Sequence, residues 1–172
     1  MRLLNLHGEG VKATAMKLAT LCYLKKGGKI LMLHRNRDSR DIHYGKWNGL
    51  GGKFELGENP EECVTREVLE ESGLLIKRPE LRGVLTFPRF KDEEDWYAFV
   101  FVATEFSGEI SSSQEGELHW IAEEQVPQLE LWEGDHYFLS WLQSDRFFSG
   151  TFVYKDGKLL QHSVVFYPHS QV

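Results

Sequence analysis

Short apolar runs separated by polar, glycine-bearing breaks set the rhythm of this chain. Residues 17–24 and 29–35 read as strands, with Lys25-Lys26-Gly27-Gly28 between them as a hairpin turn. Residues 36–46 are polar and loop-like. Helical signals follow at 60–72. Asn59 suits an N-cap, Pro60 the first helical position, Glu62 completes a capping-box pattern, and Gly73 is a natural stop. Residues 81–90 and 96–106 are strand-like on either side of a charged turn, Lys91 to Asp95, and 117–122 is a further strand. Residues 133–143 carry Tyr137, Phe138, Trp141 and Leu142 at helical spacing. Residues 147–154 and 158–167 form a last hairpin around Asp156-Gly157. The N-terminal stretch 1–16 has mixed signals and reads as a possible extension of a single domain spanning 1–172. This order of elements predicts a sheet flanked by helices, in the α/β or α+β class.

Composition narrows the function. With 172 residues, 41% hydrophobic and 27% charged, the chain can bury one substantial core. Its net charge of −6 argues against polymeric nucleic acid, whose phosphate backbone needs a basic surface, but not against a small nucleotide. Cys22 and Cys63 lack metal-site spacing and read as reduced packing residues. No signal-peptide pattern is visible, and no apolar run approaches the roughly 20 residues that span a bilayer. The expectation is a cytoplasmic protein with no membrane association, a monomer or homodimer.

The strongest chemistry lies at 52–74. On the 60–72 helix, Glu67, Glu70 and Glu71 fall within an arc of about 100°. A Glu-rich helix is ordinarily a solvated face. Here Cys63, Val64 and Val68 flank the acids, and Arg66 sits among them, able to hold Glu58 or Glu70. Clustered, partly buried carboxylates select a hard cation, Mg²⁺ or Mn²⁺, and the Gly51-Gly52 turn can add a backbone carbonyl.

Gly52, Glu58, Arg66, Glu67, Val68, Glu70, Glu71, Gly73 and Leu74 also match every fixed position of the Nudix box. The chain therefore resembles the Nudix hydrolase superfamily. The stretches Gly45 to Lys53 and Leu131 to His136 resemble its MutT-type branch, the 8-oxo-dGTP diphosphatases. The resemblance implies a Nudix fold, an α/β/α sandwich around a central mixed sheet. It implies metal ligation by the Gly51 carbonyl, Glu67, Glu70, Glu71 and Glu115, with Glu58 and Arg66 supporting them. It further implies phosphate contact by Arg35, base reading by Asn48 and Asp135, and stacking on Trp132, with Lys53 adding positive charge. At one position the chain departs from the animal enzymes, which carry two adjacent acids after this tryptophan: here the first is Gly134.

The implied reaction is Mg²⁺-dependent hydrolysis of an oxidised purine nucleoside triphosphate to the monophosphate and pyrophosphate, with Glu67 or Glu71 as the base. Two alternatives stay open. The same chemistry can act on ADP-ribose, a dinucleoside polyphosphate or an ordinary NTP, and a Nudix-like sensor can bind nucleotide without turnover.

Overall fold

The computed structural model describes residues 16–111 and 113–168. Ten strands and two α-helices occur in the order β1 (Met16–Lys26), β2 (Lys29–His34), β3 (Trp47–Asn48), α1 (Pro60–Ser72), β4 (Leu75–Lys77), β5 (Glu80–Lys91), β6 (Glu94–Ala103), β7 (Glu105–Ser107), β8 (Glu117–Ala122), α2 (Glu133–Trp141), β9 (Phe148–Lys155) and β10 (Lys158–Phe166). Eight strands form one sheet in the order β10-β9-β5-β6-β1-β2-β3, with β8 also on β2. β1 with β6 and β5 with β9 run parallel, and the other pairs are antiparallel, so the sheet is mixed. The N-terminal stretch contributes Met16 to β1, and the rest of it lies outside the described residues.

Both faces of the sheet are buried, which explains why its central strands read as near-continuous apolar runs. The two-residue period of a strand sends neighbours to opposite sides. Tyr23, Ile30, Met32, Val100 and Val102 enter one core, which also holds Phe138 of α2 and Phe148 and Phe152 of β9. Cys22, Leu24, Leu31, Phe101 and Ala103 enter the other, which α1 closes with Val64 and Val68. This is the predicted sandwich, with one helix on each face.

The box helix has the predicted ends. Asn59 Oδ1 accepts the Glu62 N–H at 2.9 Å, and the Glu62 carboxylate accepts the Asn59 N–H at 2.9 Å. Elsewhere the boundaries move. The charged turn shrinks to Asp92-Glu93, whose φ values of 55° and 58° suit a two-residue hairpin, and the strands extend on both sides. The run 96–106 breaks after Ala103, because β7 leaves the main sheet to pair with β4. α2 ends at Trp141 rather than at residue 143, where the backbone tightens into turns.

Candidate active site

The site is built where α1 passes under the loop that follows β3. Arg66 is its hub. Nε and Nη2 hold Glu58 bidentately at 2.6 and 3.0 Å, Nη1 reaches Glu67 at 2.8 Å and Glu70 at 3.3 Å, and Nη2 also donates to the Lys53 carbonyl at 3.0 Å. The Arg66 guanidinium, helped by the Glu55 N–H, holds the Glu58 carboxyl down at about 2. One arginine thus ties the loop 53–58 to the carboxylate face of the helix.

Glu71 is buried, only 7% exposed, and its Oε2 accepts the Gly51 N–H at 2.7 Å. Backbone bonds from Thr20 N–H to the Gly52 carbonyl and between Cys22 and Leu50 press this turn onto β1. Gly52 has to lack a side chain, since a Cβ there would run into the Glu67 carboxylate. Burial raises the Glu67 pKa against the opposing pull of Arg66, with Glu70 and Glu115 adding repulsion. Burial pushes Glu71 well above the carboxylate range, and Glu115 and Glu67 add to it while the Gly51 N–H opposes. Glu115 comes from the loop before β8, pairs with Arg35 and faces this cluster. Glu70, its side chain 59% exposed, shares the Arg66 guanidinium with Glu67.

Among the described residues, no three acidic, histidine or cysteine side chains are already closed around one point. Arg66 holds Glu67 instead. The donor set still fits a hard cation. It consists of carboxylates, burial and mutual repulsion leave the charges of Glu67 and Glu71 under-compensated, and the Gly51 carbonyl takes no hydrogen bond among the described residues.

A cleft of about 460 Å³ runs from this cluster to an aromatic end. Of the residues singled out in the sequence, Arg35, Asn48, Gly51, Lys53, Glu67, Glu115, Trp132 and Asp135 line it. Glu58, Glu70, Glu71 and Arg66 stand behind or beside it. Arg35 donates to Asp41 at 2.7 Å and pairs with Glu115. The Lys53 ammonium lies 5.4 Å from the centre of the Trp96 ring. At the far end the Trp132 indole N–H donates to His43 Nδ1 at 3.0 Å, and Phe90 and Tyr154 stand edge-on to the same ring. Burial brings the His43 pKa down to about 4, so its neutral ring accepts that bond. Burial raises Asp135 to about 7, opposed by the Trp132 backbone and the Lys46 charge. Asp41, His43, Phe90, Trp96 and Tyr154 were not singled out in the sequence. Asp41 and His43 lie in the polar loop 36–46, and nothing local distinguishes them from ordinary loop residues.

The comparisons agree with this geometry. The NUDIX domain profile matches residues 16–142. An uncharacterized Nudix hydrolase of Bacillus subtilis, YvcI, is 35% identical over 147 residues, covering 82% of this chain and 89% of that protein. An oxidized purine nucleoside triphosphate hydrolase of Danio rerio is 33% identical over 132 residues, covering 76% of this chain and 83% of its own length. The crystal structure of a MutT protein from Bacillus halodurans superposes with a TM-score of 0.77 at 35% identity, covering 86% of this chain and 97% of that one. No helix among the described residues is long and apolar enough to cross a membrane. A capped acidic helix on a mixed sheet, a carboxylate cluster beside a nucleotide-sized cleft and the matched span agree: the chain belongs to the NUDIX family, in its MutT-like branch, as a hydrolase of phosphoric anhydrides.

Proposed function

We propose that this hydrolase removes oxidised purine nucleoside triphosphates, such as 8-oxo-dGTP, from the nucleotide pool, releasing the monophosphate and pyrophosphate. The observation that carries this reading is that one cleft is lined both by Glu67 and Glu115 and by Asn48, Trp132 and Asp135. Relatives named oxidized purine nucleoside triphosphate hydrolases support it.

Glu67, Glu70, Glu71, Glu115 and the Gly51 carbonyl are the groups that would hold Mg²⁺ or Mn²⁺. When bound, the cation neutralises charge on the phosphates and lowers the pKa of a coordinated water. The rest falls to the chain. Glu67 or Glu71 is the base that takes a proton from the attacking water, and carboxylates gathered this closely share that proton as a group. Arg35, oriented by Asp41 and Glu115, and Lys53 face the phosphates. Trp132, fixed by His43, stacks on the base, while Asn48 and Asp135 read its edge.

The test is competition between 8-oxo-dGTP, dGTP and ADP-ribose at equal concentration with Mg²⁺. Faster loss of 8-oxo-dGTP is expected. Preferential loss of ADP-ribose, or equal loss of dGTP and its oxidised form, overturns the reading, and binding without turnover makes the chain a sensor.

Asp135 gives this selectivity a pH dependence. Above its pKa of about 7 the group is a carboxylate that only accepts, and below it the acid also donates. The oxidised base presents an N–H at position 7, where guanine presents a bare acceptor. The ratio of kcat/KM for 8-oxo-dGTP over dGTP is therefore expected to rise about threefold or more from about pH 6 to about pH 8. Both substrates share the triphosphate, so titration at the metal end cancels in the ratio. Asp135→Asn should flatten the profile, and an unchanged profile in that variant would remove Asp135 from base reading.

A further inference from the structure

The aromatic end of the cleft holds a polar group with an unused hydrogen. Tyr154, on β9, accepts the Gly134 N–H on its hydroxyl oxygen at 2.7 Å. Its ring stands edge-on to Trp132 and to Phe90, with centroids 5.5 Å away in each case. Gly134 lacks a side chain for a local reason: a Cβ there would lie 2.7 Å from the Tyr154 hydroxyl and 2.9 Å from the Phe152 ring. The position that breaks the two-acid pattern is thus filled from across the pocket by a phenol.

The chemistry of that hydroxyl follows from its one bond. A phenolic hydrogen lies near the ring plane, on one side of the oxygen or the other. The Gly134 N–H takes one side, which leaves the hydrogen on the other. Among the described residues nothing accepts it, and Tyr154 lines the cleft. Burial, with Asp135 and Glu133 nearby, holds the phenol above its ordinary pKa, so the hydrogen stays in place across neutral pH. Asp135, one residue beyond Gly134, supplies the complementary acceptor.

We propose that the Tyr154 hydroxyl is a specificity group that donates to an exocyclic carbonyl oxygen of the bound base, next to the Asp135 carboxylate that accepts a base N–H. The inference rests on the purine reading above. It makes this pocket select bases that carry a carbonyl and an adjacent N–H over bases that carry only amino groups and bare ring nitrogens.

Tyr154→Phe removes the donor and keeps the ring. Steady-state kinetics on 8-oxo-dGTP, dGTP and the deoxynucleoside triphosphate of 2-aminopurine, which has no carbonyl, provide the test. For the two carbonyl bases kcat/KM should fall about tenfold through KM, with kcat within about twofold, on the scale of one lost hydrogen bond. For the 2-aminopurine nucleotide the change should stay within about twofold. Gly134→Ala, which displaces the hydroxyl without deleting it, should produce the same selective loss, and a melting curve checks that each variant is folded. An equal loss on all three nucleotides, or no loss on any, overturns the proposal and leaves the purine reading standing. A wild-type protein that turns over no purine triphosphate overturns the purine reading, and this proposal with it.

Discussion

Glu71→Gln is expected to lose at least about 10²-fold in kcat and yet to melt higher than the wild type in the absence of divalent cation. The two effects have one cause. Glu71 is buried, and its charge is opposed by Glu67 and Glu115. Without a cation the folded state must either hold that charge or protonate the carboxyl at neutral pH, and either costs stability. A glutamine carbonyl still accepts the Gly51 N–H while carrying no charge, so the melting temperature of the metal-free protein should rise by about 2–4 °C, the equivalent of about 1 kcal/mol. Excess Mg²⁺ should reverse the order, because only the wild type gains the binding energy of the cation. Melting curves with EDTA and with Mg²⁺, beside kcat for both proteins, decide it. Full activity of the variant in excess EDTA would sink the metal-hydrolase mechanism. A lower melting point in EDTA would show that the cluster is already balanced without metal.

Phe152→Ala has the largest expected effect on stability. Phe152 is fully buried on β9, its ring stacked on Trp141 at 5.6 Å and on Phe87 at 5.9 Å, with Phe138 edge-on at 6.3 Å. It joins α2 to the sheet and also underlies Gly134. Truncation should cost about 3–5 kcal/mol, lost transfer energy plus the cavity left behind, and should lower the melting temperature on the order of 10 °C. Urea unfolding measures it directly, and a cost below about 1 kcal/mol would mean that this core collapses around the gap. Loss of the support beneath Tyr154 and Gly134 should also raise KM more than it lowers kcat.

The parts of this molecule legible in the sequence are those whose physics is local. The box helix announced both ends through Asn59, Glu62 and Gly73, and its acids could be placed on one arc by counting residues. Arg66 was expected to hold Glu58 or Glu70 and reaches both, because a guanidinium has donors enough for three carboxylates, Glu67 included, and a carbonyl. The illegible parts depend on distant partners. β3, β4 and β7 are two or three residues long and exist because of the strands they meet. His43 gains a role from Trp132, and Tyr154 from Gly134, through contacts across the pocket that no spacing rule reports. The N-terminal expectation, Met16 apart, concerns residues outside those described.

The sheet has two buried faces, and under the proposed function the groups that line the one cleft are anchored in different ones. The helix bearing Glu67 and Glu71 is anchored by Val64 and Val68 in one core, while Phe152, Phe138 and the strand carrying Tyr154 belong to the other. Substitutions confined to one core share no packing partners with those confined to the other and are expected to combine nearly additively. Under that reading, repacking beneath Tyr154 is expected to change which base is accepted while the anchoring of the carboxylate helix stays intact. Substrate preference and hydrolytic rate are then expected to answer to different sets of core substitutions.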